Sequence, residues 1–289
     1  MSKRILGLWN MGDGSFHEKL SPRASKSLIK AALRNGITSF DTAYSYKEAD
    51  SMLSSALKEA GCERESIEII SKLMPVPTLE KKAETVLRRL NTDYIDILLL
   101  HWPSDEESVY AALRRLEKLR DKGICNSIGV SNFPYKLLKK TAADFPISFH
   151  ERPLSLIWNK EWEEEKALGL KTLAYAPLGL GLLTLKYRRR EELTDSRKDL
   201  YVWECKAFDE LLSYISAMPY RPESIAIGWV EREAPYGIIQ GASRPDQLSS
   251  DSIELKDEEI AGLSEYADKI TASSPSDNIF SHNYGTIAP

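Results

Sequence analysis

The chain has 289 residues, of which 42% are hydrophobic and 28% charged, with 39 basic against 43 acidic side chains and a net charge of −4. This composition is typical of a soluble globular protein that can bury a large core, as one large α/β domain or two smaller ones. The two signs of charge are interspersed, so the sequence lacks the basic patch of a nucleic-acid-binding surface, and we expect no nucleic-acid partner.

The sequence contains no segment that we expect to enter a membrane. The longest apolar stretches, such as Ile95–Leu100, are far shorter than the ~20 residues that cross a bilayer. Residues 1–4 lead directly into a strand pattern, without the apolar centre of a signal peptide. We therefore predict a cytoplasmic protein with no membrane partner.

The three cysteines, Cys62, Cys125 and Cys205, are far apart in the sequence, and none belongs to a CxxC pair or has a histidine beside it. An odd number of scattered cysteines disfavours both a disulfide framework and a zinc site. We interpret them as free thiols and predict no metal centre.

Strand and helix patterns alternate from one end of the chain to the other. Ser21 followed by Pro22 predicts a helix start, and Gly61 predicts the end of the next helix. Eight strands separated by helices predict one (β/α)8 barrel domain over residues 1–289. The predicted strands are residues 4–9, 38–41, 67–72, 94–101, 127–131, 147–151, 171–175 and 236–240.

The alternative architecture is an open doubly wound sheet, which in a nucleotide-binding enzyme carries G-x-G-x-x-G after its first strand. Gly12 and Gly14 follow the first strand here, and their spacing does not match. Residues 191–200 are charged and lack apolar periodicity, which predicts an exposed loop rather than a domain boundary.

Three successive predicted strands end in chemically capable side chains, namely Asp41, Lys72 and His101, and Tyr46 lies on the loop after Asp41. In a parallel barrel these strand ends meet at the carboxyl face, where such folds place their chemistry. We therefore expect the four side chains to lie together.

These four residue types suit the reduction of a carbonyl group. An oxygen that gains negative charge on receiving hydride needs a proton donor, for which Tyr46 is the candidate. A nearby Lys72 ammonium would lower the pKa of the phenol, and Asp41 would keep that ammonium charged. Neutral His101 would orient the substrate oxygen. A strand-end lysine can also form a Schiff base, so an aldolase using Lys72 stays open as an alternative.

Six segments carry a family resemblance. They are residues 40–46 (FDTAYSY), 71–72 (SK), 100–103 (LHWP), 128–133 (IGVSNF), 175–179 (YAPLG) and 241–248 (GASRPDQL). Their order is that of the aldo-keto reductases, and the chain resembles this family nearly end to end. The resemblance implies a (β/α)8 barrel, carbonyl reduction with a nicotinamide cofactor, and Asp41, Tyr46, Lys72 and His101 as the catalytic tetrad.

The resemblance also implies where the cofactor binds. Ser131 and Asn132 would hold the nicotinamide carboxamide, and Tyr175 would stack on its ring. Arg244 is the only cation of residues 241–251 and suits a 2′-phosphate, which favours NADPH over NADH. The further contacts are Ala176, Pro177, Leu178, Gly179 and Gly181 along the pyrophosphate, and Gly241, Ser243, Gln247 and Asp251 with Arg244 at the adenosine end.

Some positions differ from the family pattern. Lys47 stands where a glycine usually follows the tyrosine, and Phe149 aligns with a glutamine that commonly contacts the nicotinamide. Trp9, Tyr44 and Trp102, with residues 279–284, would wall a pocket suited to a small aldehyde or ketone. A cofactor-binding regulatory module on the same fold is a second alternative, and we take a monomer as the default.

Overall fold

The computed structural model describes residues 2–12, 19–248 and 253–274. The described strands pair in parallel, each with the next along the chain, and the last pairs back with the first to close the barrel. The (β/α)8 prediction is therefore confirmed. The strands are β1 (Lys3–Gly7), β2 (Ser39–Asp41), β3 (Glu68–Leu73), β4 (Ile95–Leu100), β5 (Cys125–Ser131), β6 (Phe149–Pro153), β7 (Lys171–Tyr175) and β8 (Gly237–Gly241).

Helices connect the strands and cover the outside of the barrel. Their apolar faces pack on the strands, as the helical spacing of leucine, isoleucine and alanine predicts. They are α1 (Trp9–Gly12), α2 (Pro22–Arg34), α3 (Ala49–Glu59), α4 (Leu79–Leu90), α5 (Glu106–Asp121), α6 (Tyr135–Asp144), α7 (Trp162–Lys166), α8 (Lys206–Ala217), α9 (Pro222–Arg232) and α10 (Asp257–Ala272).

Local sequence signals explain several of these boundaries. Ser21 caps α2, because its hydroxyl accepts the amide hydrogen of Ala24 at 3.3 Å and Pro22 follows as the first helical residue. Asp105 caps α5 in the same way, since its carboxylate accepts the amide hydrogen of Ser108 at 2.9 Å. Gly61, with φ of 66°, follows the end of α3.

Most strand boundaries differ from the prediction by one or two residues, and two of the differences have a clear local cause. β1 ends at Gly7, and Trp9 begins the short helix α1 instead of completing the strand. β6 begins at Phe149, two residues after the predicted start, because the amide of Ile147 donates to the carbonyl oxygen of Phe145 at 2.8 Å in a tight turn around a proline. β6 also continues past Glu151 to Pro153.

The largest difference between the predicted and the observed secondary structure lies in the connection from β7 to β8. The sequence did not predict α8 and α9, and the predicted exposed loop at residues 191–200 is only partly exposed. Leu193, Arg197 and Leu200 are buried there, since the segment folds back in short 3-10 turns onto the outer core. Charge along a segment is thus a poor guide to exposure when single apolar residues anchor it.

The lower part of the barrel interior is filled with apolar side chains. Phe149 belongs to this layer, and its ring meets that of Tyr236 edge-on with centroids 5.2 Å apart. Both lie near the amino ends of their strands, away from the carboxyl face of the barrel. The layer consists of Ile5, Ile70, Ile97, Leu99, Phe149, Leu173 and Ile239.

Candidate active site

A polar layer lies directly above the apolar filling of the barrel. Side chains alternate between the two faces of a strand, so Lys72 enters the interior two residues after Ile70, and Glu151 does so two residues after Phe149. Asp41 at the end of β2 joins them, and all three charged groups are buried, at 1–4% exposure. The side chains that enter the barrel interior therefore change from apolar to charged between one layer and the next.

Asp41 and Lys72 form the centre of this layer. The ammonium of Lys72 donates to Asp41 Oδ2 at 2.5 Å and to the carbonyl oxygen of Thr42 at 3.1 Å. Burial alone would lower the pKa of Lys72, but the neighbouring carboxyl groups, first Asp41 and then Glu151, raise it well above its usual value. Burial raises the pKa of Asp41, and the adjacent ammonium opposes that shift. The pair is held as ammonium and carboxylate.

Tyr46 and His101 lie beside the ammonium, as the strand-end pattern predicts. The Lys72 nitrogen is 5.5 Å from the centre of the Tyr46 ring, and the rings of Tyr46 and His101 meet edge-on at 5.9 Å between centroids. His101 is held by its backbone amide, which donates to the carbonyl oxygen of Leu73 at 2.8 Å. The four predicted side chains thus form one cluster at the carboxyl face.

His101 is neutral in this setting. Burial, and secondly the positive charge of Lys72, lower the pKa of the imidazole to about 3. It can therefore donate a hydrogen bond to a substrate oxygen without carrying a charge of its own across the physiological pH range.

Gly12 fixes the backbone of Tyr46. A Cβ atom at Gly12 would lie 1.6 Å from the carbonyl oxygen of Tyr46, so only glycine permits α1 to approach this loop so closely. The same loop is tied from the other side, where Arg89 of α4 donates to the carbonyl oxygen of Tyr44 at 3.1 Å. Sequence reasoning missed this role for Gly12 because the contact joins segments more than thirty residues apart.

Ser131, Asn132 and Tyr175 form a second polar group beside the cluster. Asn132 has φ of 63° and its side-chain amide donates to the carbonyl oxygen of His101 at 3.0 Å and to the hydroxyl of Ser131 at 2.9 Å. The hydroxyl of Tyr175 donates to Asn132 Oδ1 at 2.5 Å. These bonds orient the amide and the tyrosine ring at the mouth of the barrel, so the residues expected to contact the nicotinamide are brought together.

The segment after β7, expected to contact the pyrophosphate, forms a tight turn. Ala176, Gly179 and Gly181 have φ of 53°, 55° and 87°. The amide of Gly179 donates to the carbonyl oxygen of Ala176 at 2.9 Å, and that of Gly181 donates to the carbonyl oxygen of Leu178 at 3.0 Å. Arg197 supports the segment from below, where it pairs with Asp195 at 2.7 Å and donates to the carbonyl oxygen of Leu180 at 3.0 Å. Pro177 and Leu178 complete this turn.

Hydrogen bonds to the side chain of one glutamine hold the shape of the loop after β8. The side-chain oxygen of Gln247 accepts the amide hydrogens of Ser243 at 2.7 Å and Arg244 at 3.1 Å, so Gln247 shapes the loop from within. The guanidinium of Arg244 is exposed and makes two bonds of 3.1 and 3.2 Å to Asp246. Gly241 is exposed with open space beside it, and Asp251 lies outside the described residues.

The three aromatic side chains expected in the pocket wall do not share one position. Trp9 and Trp102 pack against the same apolar cluster as Tyr175, next to the group at the barrel mouth. The ring of Tyr44 is near α4, where the charges of Lys82 and Arg89 each lie 5.0 Å from the ring centre. Residues 279–284 lie outside the described residues.

Two further positions correct the sequence reading of β6. Phe149, aligned with a nicotinamide-contacting glutamine, lies in the lower apolar layer and not at the mouth. Glu151 was not assigned any role, although its carboxylate lies 3.3 Å from the ammonium of Lys72. A signal was present, since Glu151 ends the predicted sixth strand just as Asp41 and Lys72 end theirs.

A closed parallel barrel with a buried cluster of ionisable side chains at its carboxyl face is typical of barrel enzymes. Comparison with known proteins makes this specific. A family model described as the aldo/keto reductase family matches residues 4–267. The chain belongs to that family and is an NAD(P)H-dependent oxidoreductase. None of the helices in the described part of the chain is long and apolar enough to span a bilayer.

Individual relatives agree with this assignment. The aldo-keto reductase YhdN of Bacillus subtilis is 28% identical over 277 residues, covering 85% of this chain and 82% of the relative. The glyoxal reductase of the same organism is 34% identical over 184 residues, covering 60% and 64%. The glycerol dehydrogenase AKR11B4 of Gluconobacter oxydans superposes with a TM-score of 0.77 at 25% identity, covering 94% and 93%.

Proposed function

We propose that the protein reduces a small aldehyde or ketone to the alcohol with NADPH, and that Tyr46 donates the proton. The observation that carries the proposal is the buried Asp41–Lys72 ion pair, whose ammonium lies 5.5 Å from the centre of the Tyr46 ring. An ion pair at 0% and 6% side-chain exposure is costly to bury, and it acts here where a phenol must give up a proton.

Each member of the cluster has a distinct task. The ammonium of Lys72 stabilises the phenolate that remains when Tyr46 transfers its proton, and Asp41 keeps Lys72 charged. Neutral His101 donates to the carbonyl oxygen and directs it toward the proton donor. The cofactor, when bound, supplies the hydride.

The residues at the barrel mouth fit a nicotinamide cofactor. Asn132 and Tyr175 present an oriented amide and an aromatic ring, and the turn of residues 176–181 follows directly after Tyr175. Gly241 leaves open space at the adenosine end. Exposed Arg244 is the group that would read a 2′-phosphate, which supports NADPH.

The substrate pocket would be bounded by Trp9 and Trp102. Aromatic side chains beside the catalytic cluster suit a small carbonyl compound. A glyoxal reductase and a methylglyoxal reductase occur among the relatives, so small dicarbonyl compounds are the first substrates to test.

The aldolase alternative is weakened by the state of Lys72. A Schiff base requires a neutral amine, whereas the pKa of this ammonium is raised well above its usual value by Asp41 and Glu151. Failure of borohydride to trap a carbonyl substrate on Lys72 is the expected result, and covalent trapping there would favour the aldolase.

The deciding experiment follows the loss of reduced-cofactor absorbance with methylglyoxal and with an aromatic aldehyde, using NADPH and NADH. We expect turnover with NADPH that falls by ~10²–10⁴-fold in Tyr46→Phe, while cofactor binding persists. Tyr110→Phe is the matched control, because the hydroxyl of Tyr110 bonds to Asp144 on the outside of the barrel. Near wild-type turnover in Tyr46→Phe would overturn the proposal, and tight NADPH binding without any turnover would favour a regulatory module.

A further inference from the structure

Glu151 is a buried carboxyl group to which the tetrad gives no role. It lies on β6, across the barrel from Asp41 on β2, and is 4% exposed. Its Oε1 is 3.3 Å from the ammonium of Lys72. The ammonium is therefore held between two carboxyl groups from opposite walls of the barrel.

One cation cannot neutralise both carboxylates. Lys72 gives its shortest bond, 2.5 Å, to Asp41, and Oε2 of Glu151 has no donor among the described residues. The carboxyl groups of Asp41 and Glu151 both contact the same ammonium, at 2.5 and 3.3 Å. A buried carboxylate oxygen without a donor is costly, as are two adjacent negative charges, and one proton between the two groups removes both costs.

The electrostatics place that proton on Glu151. Burial, and secondly the charge of Asp41, raise the pKa of Glu151 to about 8 against the opposing pull of Lys72. Asp41 has the shorter contact to the ammonium and is the better site for the negative charge. Tyr46 and His101 lie beside Lys72 and complete the titratable groups around the ammonium in the described part of the chain.

We propose that Glu151 is a positioning residue of the reaction, which holds the Lys72 ammonium from the β6 side as a neutral carboxylic acid that donates its proton to Asp41. This inference rests on the proposed function. With Glu151 neutral, the cluster carries one positive and one negative charge, and the field of Lys72 favours the Tyr46 phenolate. An ionised Glu151 would add a negative charge that opposes the phenolate and slows proton transfer.

The backbone of Glu151 extends the same role to the cofactor side. Its carbonyl oxygen accepts the amide hydrogen of Asn132 at 2.9 Å, and Asn132 in turn bonds to Tyr175. Glu151 thus links the proton-transfer cluster to the residues proposed to hold the nicotinamide.

The first test determines whether Glu151 carries a proton in the folded protein, and it does not rely on activity. Thermal unfolding midpoints of the wild type and Glu151→Gln are compared from about pH 5 to about pH 9. Because a native pKa of about 8 exceeds the ordinary 4.5, the unfolded chain binds fewer protons than the native one between these values, and the wild type loses stability as pH rises through this window. We expect the midpoint of Glu151→Gln to rise relative to the wild type up to about pH 8 and then level off.

Glu68→Gln is the matched control, since Glu68 bonds to Lys3 at the opposite end of the barrel. It should show no such slope. A midpoint difference for Glu151→Gln that is constant above pH 5, or a slope equal to that of Glu68→Gln, would show that Glu151 is an ordinary ionised carboxylate and would overturn the proposal.

The second test separates a positioning role from a purely structural one. Glu151→Gln keeps an oxygen toward Lys72 and a donor toward Asp41, whereas Glu151→Leu keeps neither. The kcat of the leucine variant should fall about tenfold or more below that of the glutamine variant, and both variants should lose the activity decline that the wild type shows near pH 8. Equal kcat values and unchanged pH profiles would contradict the role. If no carbonyl substrate turns over, the stability slope still decides the position of the proton.

Discussion

The two halves of the barrel differ in how they hold their functional groups. Strands β2 to β4 and the loop after β2 present the proposed tetrad, and at its centre Lys72 is 1% exposed and paired with Asp41 at 2.5 Å. Strands β5 to β8 present the segments proposed to hold the cofactor, and at their outer end Arg244 pairs with Asp246 through side chains that are 66% and 68% exposed. The same kind of ion pair is therefore buried in one half and solvated in the other.

This difference determines how strongly each half responds to change. Breaking a buried ion pair leaves an uncompensated charge in a medium of low dielectric constant, whereas an exposed pair is screened by water and salt. The catalytic half should therefore act as one coupled unit. At the adenosine end of the cofactor half, substitutions should have small and independent effects on cofactor binding. Cofactor preference can therefore change without an effect on the reaction.

The largest effect is expected for Lys72→Met. Removal of the ammonium leaves Asp41 and Glu151 facing each other without a cation, which should destabilise the protein by about 3–5 kcal/mol in urea unfolding. Proton transfer from Tyr46 loses its charge stabilisation, so kcat should fall by ~10²–10⁴-fold.

Lys3→Met is the matched control for this prediction. Lys3 pairs with Glu68 at 2.9 Å on the amino side of the barrel, where its side chain is 40% exposed. We expect a cost of at most about 1 kcal/mol and unchanged kcat. Similar losses in the two variants would mean that burial does not distinguish the two ends of the barrel.

The next effect concerns the loop that carries Tyr46. Gly12→Ala would place a methyl group 1.6 Å from the carbonyl oxygen of Tyr46, so α1 and the loop must separate. Displacement of a catalytic group by about 1 Å can cost about 10²-fold in rate, and we expect such a fall in kcat with little change in cofactor affinity. Steady-state kinetics with a cofactor-binding titration separates the two quantities.

Gly262→Ala provides the comparison for Gly12. The new methyl group would meet the hydroxyl of Tyr214 at 2.7 Å, but this is the end of a side chain on the outer helices and can move. Its kcat should match the wild type. A Gly12→Ala enzyme of full activity would mean that the close approach of α1 does not position Tyr46.

The sequence predicted the barrel well because its signals are local. Alternating strand and helix patterns, the capping residue Ser21 and the polar strand ends are all readable within a few residues, and these alone bring Asp41, Lys72 and His101 to one face. The boundary of β6 escaped prediction because a turn at residues 145–147 shifted it, and the sequence pattern alone does not specify where pairing begins.

Contacts between distant segments could not be read in this way. The approach of Gly12 to Tyr46, the hydrogen bonds of Gln247 within its own loop and the third partner of Lys72 depend on packing that no local pattern encodes. Glu151 is the instructive case, because its strand-end position was visible while its proximity to Lys72 required the closed barrel.

The smallest effects are expected at the proposed adenosine end of the cofactor site. There the direction of the change in cofactor affinity tests the role of Arg244. If Arg244 reads a 2′-phosphate, Arg244→Ala should weaken NADPH binding about tenfold through loss of a charge-assisted bond, and NADH binding should change little. Asp246 competes for the same guanidinium at 3.1 and 3.2 Å, so Asp246→Asn should tighten NADPH binding by about two- to fivefold.

Two further measurements make this test specific. They are the salt dependence of cofactor binding and the effect of removing an exposed arginine elsewhere on the surface. Both effects should shrink as ionic strength rises, because the charges involved are exposed. Arg232→Ala removes an exposed arginine that pairs with Asp257 on the outer helices, and it should leave both cofactors unaffected. Equal weakening of NADPH and NADH in Arg244→Ala would assign the side chain to adenine stacking or loop structure, and phosphate selectivity would then have to come from another part of the cofactor half.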